Sequence, residues 1–303
     1  MNSITLNADL AAVSRLVVEG AMLVYTFAFL SFAFHLSQLA STKKSVRAGA
    51  SRLEKVGIAL LIFAAAIHGV GMTLRGISAS RVPWANMYEF SITGSFIVVF
   101  IFLLALTIKD IRLIATFVTG FTLLVLGVAD TVFYVEVKSL MPALQSYWLV
   151  IHVLVAVLAT AFFNIAAALS IAYLFKTANW VKVSKAKAVA TFRRVLALFP
   201  KEEKLERLAY RFNIIGFILW TFTLIAGAIW AERAWHRYWG WDTKEVWTFI
   251  IWTIYAGYLH ANATRGWSGK RSAWLGIIGF LAIIFNFTIV NLYFKGLHVY
   301  SGL

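Results

Sequence analysis

The chain has 303 residues, of which 61% are hydrophobic and 14% charged, where a soluble domain carries roughly a quarter charged residues; a water-facing globular protein is excluded, and the lipid bilayer is the natural solvent for the apolar surplus. Cysteine is absent, which excludes disulfides, thiolate metal sites and iron–sulfur clusters and leaves histidine as the main metal-ligand type. The net charge of +15 would suggest nucleic acid in a soluble chain, but the cytoplasmic loops of membrane proteins collect Lys and Arg without it, so no nucleic-acid partner is expected.

With only three prolines and abundant Leu, Ile, Ala and Phe, the expected fold is all-α. It is a polytopic integral membrane bundle of about eight helices, forming one membrane domain over residues 1–303. A span needs roughly 20 mostly apolar residues. The candidates in chain order are 16–40, 56–75, 88–108, 113–129, 147–175, 212–231, 246–262 and 273–294. No basic region precedes the first and no small-residue cleavage site follows it, so a cleaved signal is not expected.

The positive-inside rule sets the orientation. With the N-terminus outside, segments 41–55, 109–112, 176–211 and 263–272 are inner and hold 20 of the 28 Lys and Arg residues. Both termini then fall outside. The basic stretch 176–211 reads as a cytoplasmic loop near anionic lipid. Among the outer charges, Arg75, Arg81, Arg233 and Arg237 stand where topology discourages them. They are either snorkelling helix-end residues or a cationic margin for an anionic ligand.

Between the sixth and seventh spans lies an outer loop, about 232–247. Five of the twelve tryptophans fall in residues 230–247: Trp230, Trp235, Trp239, Trp241 and Trp247. An interfacial aromatic belt scatters one or two per helix end and does not concentrate them beside Arg233, Arg237, Asp242 and Glu245. A flat aromatic surface with cationic margins suits a flat, apolar ligand with acidic edges. Haem is such a ligand, because indoles stack on the macrocycle and arginines pair with propionates in forked geometry. Its iron needs axial ligands, for which imidazole is the available choice. His152, near the outer start of the fifth span, and His298, in the outer C-terminal segment, share the loop's face. His260 lies toward the inner end of the seventh span and His68 within the second. His35 and His236 carry less weight. Asp242 and Glu245 either orient these rings or cap the seventh helix.

Residues Trp239 to Trp247 (Trp-Gly-Trp-Asp-Thr-Lys-Glu-Val-Trp) closely resemble the WWD signature of haem-handling proteins. The placement of His152, His260 and His298 resembles the CcsA (ResC) branch, which serves cytochrome c maturation. Pro83 to Glu89, with Asn86 and Glu89, is similar to that branch's second motif, and the resemblance runs from the second span onward. Thr243 departs from the family's usual proline and His236 from its usual small residue, so a different ligation scheme stays open.

The resemblance implies that haem b is bound as a substrate and presented on the outer face. It also implies a CcsB (ResB) membrane partner and thioether attachment to the Cys-x-x-Cys-His motif of apocytochrome c, with a thiol-reducing thioredoxin-like protein as a further partner. By the same resemblance, His152 and His298 would be axial ligands at the outer loop. His260 would serve a haem within the membrane, completed by a partner histidine or, within the chain, by His68. The chain would act as a subunit of a holocytochrome c synthase in a bacterial inner membrane, although a thylakoid fits the same pattern. The rival readings are a haem exporter or chaperone without ligation activity, a b-type electron-transfer cytochrome, and a solute transporter with an aromatic gate.

Overall fold

A computed structural model describes residues 7–41, 44–138, 145–264, 266–294 and 296–298. The charges at Lys43, Arg265 and Lys295, used above to set the orientation, lie outside the described residues. All regular structure among the described residues is helical. The long elements are α1 (Ala8–Leu39), α2 (Lys44–Ser78), α3 (Met87–Ile108), α4 (Ala115–Val132) and α5 (Tyr147–Thr177). Two short helices follow, α6 (Asn179–Val183) and α7 (Lys187–Leu198), and then α8 (Glu202–Trp235), α9 (Thr243–Thr264) and α10 (Lys270–Phe285). The chain leaves α10 through a π-helical turn, Asn286–Val290, and one last turn, α11 (Asn291–Tyr293).

Among the described residues, seven helices are long and apolar enough to cross a membrane, making this a multi-pass membrane protein. They correspond to seven of the eight expected spans. The eighth, α9, has 22 residues, about 33 Å at 1.5 Å per residue, but its composition keeps it out of that group. Thr243, Lys244 and Glu245 sit at one end of α9, and His260, Asn262 and Thr264 at the other. The helices also begin earlier than hydropathy suggests, because their first turns are fixed by caps rather than by apolar residues. The side chain of Asn7 accepts the Leu10 N–H at 2.9 Å to start α1, and that of Asn86 accepts the Glu89 N–H at 2.9 Å to start α3. The expected basic loop 176–211 is itself helical over α6, α7 and the first turns of α8.

Two antiparallel pairs form the frame, α1 with α2 and α5 with α8. The first closes tightly because Gly71 lets Ser14 donate its hydroxyl to the Gly71 carbonyl at 2.8 Å. A Cβ on Gly71 would stand 2.7 Å from Val18. α3 packs on α4 and α5, and α10 on α5 and α9. The faces turned away from the frame keep large apolar side chains exposed, among them Leu16, Phe27, Phe63, Phe100 and Ile218. That is the surface a bilayer covers.

Candidate functional site

Chain reversal gathers the N-terminal turn of α5, the C-terminal turn of α8, the start of α9 and residues 296–298 at one end of the bundle. A cavity of about 400 Å³ opens there between α3, α4, α5, α8 and α10. Its wall is mostly apolar, with His152, His298, Trp239, Glu245 and Asn86 on the lining. Trp230 also lines it and is fully buried.

The two histidines are held in the same way. Nδ1 of His152 lies 2.9 Å from the Thr223 carbonyl, so Nδ1 carries the proton and donates it, leaving the lone pair on Nε2. Nδ1 of His298 lies 3.0 Å from Oδ1 of Asp242. The carboxylate accepts the Nδ1 proton, as the Thr223 carbonyl does for His152. A backbone or carboxylate acceptor fixing one ring nitrogen while the other faces a ligand is the usual support of a metal-binding imidazole. Trp230 connects the pair. It stacks on His152 with centroids 5.9 Å apart and an interplanar angle of 18°, and it meets His298 edge-on at 5.4 Å. Trp235 packs edge-on against both Trp230 and His298, each at 4.8 Å. Gly227 makes this possible, since a Cβ there would lie 2.8 Å from Cε1 of His152.

Asp242 has two tasks. Its Oδ1 accepts the Lys244 N–H at 2.9 Å, capping α9, and its Oδ2 accepts the Leu297 N–H at 2.8 Å. Glu245 reaches back to the Asp242 N–H at 3.1 Å and the Gly240 N–H at 2.8 Å, completing a capping box. Capping and ring orientation, which the sequence left as alternatives, are thus combined in Asp242. Burial opposes its ionisation, but the His298 ring and the Lys244 and Leu297 N–H groups outweigh that and hold its carboxyl at about 2. The loop reverses through two left-handed residues, His236 (φ 56°) and Trp241 (φ 60°), where no glycine relieves the backbone. His236 itself is exposed, as is Trp241 at 77%. Trp247 packs on Phe285 at 4.5 Å instead of facing the cavity.

The arginines divide. Arg75 and Arg81, which the sequence offered as an anion margin, both pair with Glu89, at 3.1 and 2.5 Å. Arg75 and Glu89 are fully buried, and Glu89 also accepts the Ala85 N–H at 2.9 Å. One carboxylate thus ties the ends of α2 and α3 together. Arg237 lies 3.5 Å from Glu245, with its guanidinium 5.9 Å above the Trp235 ring, while Arg233 is exposed beside Glu232.

His68 and His260 are not brought together. His68 is enclosed in α2, 3.3 Å from the Tyr25 hydroxyl and edge-on to Phe96. His260 is exposed on α9, which packs on α8 and α10. His35 lies at the opposite end of the bundle, against the Ala50 carbonyl at 2.7 Å and Glu54 at 3.3 Å. Sequence reasoning passed over Thr223, Gly227 and Lys244. Only Lys244 left a signal, as a cation among the acidic and aromatic residues of the loop.

Residues 84–298 match the family described as Cytochrome C assembly protein. The chain is 35% identical over 261 residues to "Cytochrome c biogenesis protein CcsA" of Prochlorococcus marinus, covering 80% of this chain and 83% of the relative. It is 32% identical to the protein of that name from Guillardia theta, covering 82% and 86%. For the Synechococcus elongatus protein the identity is again 32%, covering 82% and 88%. The matched region begins at Trp84, on the cavity wall, and ends at His298, so it spans every element that builds the site. The chain belongs to the cytochrome c assembly family, in its CcsA branch of cytochrome c biogenesis proteins.

Proposed function

We propose that the chain binds haem b in this cavity, between His152 and His298, and presents it at the outer membrane face for attachment to apocytochrome c. The observation that carries the reading is the matched support of the two imidazoles. Each Nδ1 has an acceptor of its own, Thr223 or Asp242, and both rings line one apolar cavity beside a buried indole. A cavity of this lining buries a porphyrin's hydrocarbon, and neutral imidazole is a fitting donor for its iron.

When bound, haem supplies vinyl groups as acceptors for the thiols of a Cys-x-x-Cys-His motif. The chain's own contribution is orientation. His152, fixed by Thr223 and packed over Gly227, would hold the group at the α5–α8 wall of the cavity. His298, oriented by Asp242 and the aromatic cluster, would be the second residue to hold the group at the open end of the cavity. Trp239 and Trp241 lie at the loop edge where a substrate approaches, and holding the reacting edge there makes the attack effectively unimolecular. The absence of cysteine keeps the chain's own side chains from competing for the vinyl groups.

His260, exposed on α9, supports a second haem position within the membrane, completed by a histidine of a CcsB-type partner. The enclosure of His68 between Tyr25 and Phe96 makes it the weaker in-chain candidate. Charge distribution supports an orientation with the cavity outside and 176–211 inside.

The test is maturation of a reporter c-type cytochrome in cells lacking the endogenous pathway, with this chain and its partner co-expressed. Thioether-bound haem on the reporter, lost in His152→Ala and His298→Ala, is the expected result. Haem bound to this chain with no thioether product would make it an exporter or chaperone, and maturation that survives both substitutions would remove the site.

A further inference from the structure

The cavity lining contains a single Lys or Arg among the described residues, Lys244. Its Nζ donates to the Asn286 carbonyl at 2.7 Å and to Oδ1 of Asn291 at 2.9 Å. Both acceptors are neutral. Asn286 opens the π-helical turn after α10 and Asn291 opens α11 directly behind it. Among the described residues, Nζ forms no ion pair within 4.0 Å. Asp242 is engaged with His298 and Leu297, and Glu245 with Gly240 and the Asp242 N–H. An ammonium has three protons and two are placed on neutral acceptors, so the third is left for a partner in the apolar cavity. Such a charge is costly unless a ligand supplies the partner. Oδ1 of Asn286, buried without a hydrogen-bond partner, stands on the same wall. The arginines that sequence offered for an anion are committed to Glu89 or Glu245, or lie exposed beside Glu232.

We propose that Lys244 is the cationic anchor of the cavity, binding a carboxylate at the acidic edge of its ligand and so selecting an anionic porphyrin over a neutral one. The inference rests on the haem reading above. Asn286 and Asn291 serve as the rest that holds Nζ until the carboxylate arrives.

The experiment titrates the purified full-length protein with iron protoporphyrin IX and with its dimethyl ester, followed by Soret absorbance, in the wild type, Lys244→Gln and Lys244→Arg. One charge-assisted hydrogen bond corresponds to about a tenfold change in affinity. The wild type should bind the free acid about tenfold tighter than the ester, Lys244→Arg should keep most of that preference, and Lys244→Gln should abolish it. Equal affinities in the wild type, or a preference that persists in Lys244→Gln, would overturn the role of Lys244 while leaving the haem site standing. If Lys244→Arg folds and Lys244→Gln does not, the charge is structural and the inference fails. If the wild type takes up neither porphyrin, the haem reading itself falls.

Discussion

Nδ1 of His298 lies 3.0 Å from Oδ1 of Asp242, across 56 residues of sequence. This contact joins the segment after α11 to the first turn of α9 and makes one carboxylate both a helix cap and the orienting partner of a candidate ligand. Asp242→Asn keeps a capping oxygen but loses the charge, so it separates the two tasks. It should lower thermal stability modestly, because the Leu297 N–H or the His298 ring loses its acceptor, and weaken haem binding roughly 10- to 100-fold, the usual cost of losing an outer-shell partner. Asp242→Ala should add a stability loss of about 1 kcal/mol from the missing cap. Titration with haem and thermal unfolding in detergent measure the two effects.

The same carboxyl sets a pH window. Its folded value of about 2 lies below the ordinary aspartate value, which is near 4. Its contribution is therefore fully present above about pH 4 and is lost as pH falls through 2. Tryptophan fluorescence of the loop should stay constant down to about pH 4 and change only below it. Asp242→Asn should remove that low-pH change, and persistence of the change in the variant would assign it to another group.

Gly227 tests the depth of His152 without removing any polar group. A Cβ there would stand 2.8 Å from Cε1 and 2.9 Å from Nδ1 of the imidazole. Gly227→Ala should raise intrinsic helix propensity by about 1 kcal/mol yet displace the ring from the Thr223 carbonyl. A folded protein with bound haem of altered spin state is the expected result, and an unchanged spectrum would show that His152 is not a ligand.

Glu89 lies in the region that resembles the family's second motif, but its surroundings are those of a tie between helices. Glu89→Gln leaves Arg75 buried without its counter-charge and should cost about 3–5 kcal/mol, read as a large drop in thermal stability or yield. A well-folded Glu89→Gln protein with specifically impaired haem uptake would instead place Glu89 in the site.

Orientation has its own test. Reporter fusions at Lys187 and Thr243 should lie on opposite sides of the membrane, and finding both on one side would overturn the arrangement of spans.

The spans were legible because bilayer thickness fixes their length and apolar side chains must fill it. The tryptophan loop was legible because its density exceeds what an interface needs. Helix ends were less so: Asn7 and Asn86 start their helices through hydrogen bonds that hydropathy does not register. The four arginines looked alike in sequence, and only packing shows that Arg75 and Arg81 share the buried Glu89. Thr223 and Gly227 support His152 by a backbone carbonyl and by a missing side chain, neither of which leaves a compositional trace. Lys244 acquires its neighbours from the π turn and the start of α11, more than 40 residues later, a pairing set by tertiary packing alone.

In the proposed site, His152 and His298 hold one haem in the outer cavity. The most direct measurement is the absorption spectrum of the purified protein, oxidised and reduced, beside that of the His152→Ala/His298→Ala double variant. A six-coordinate low-spin signal that collapses in a folded double variant is the predicted result. An undiminished low-spin signal in that variant would contradict it.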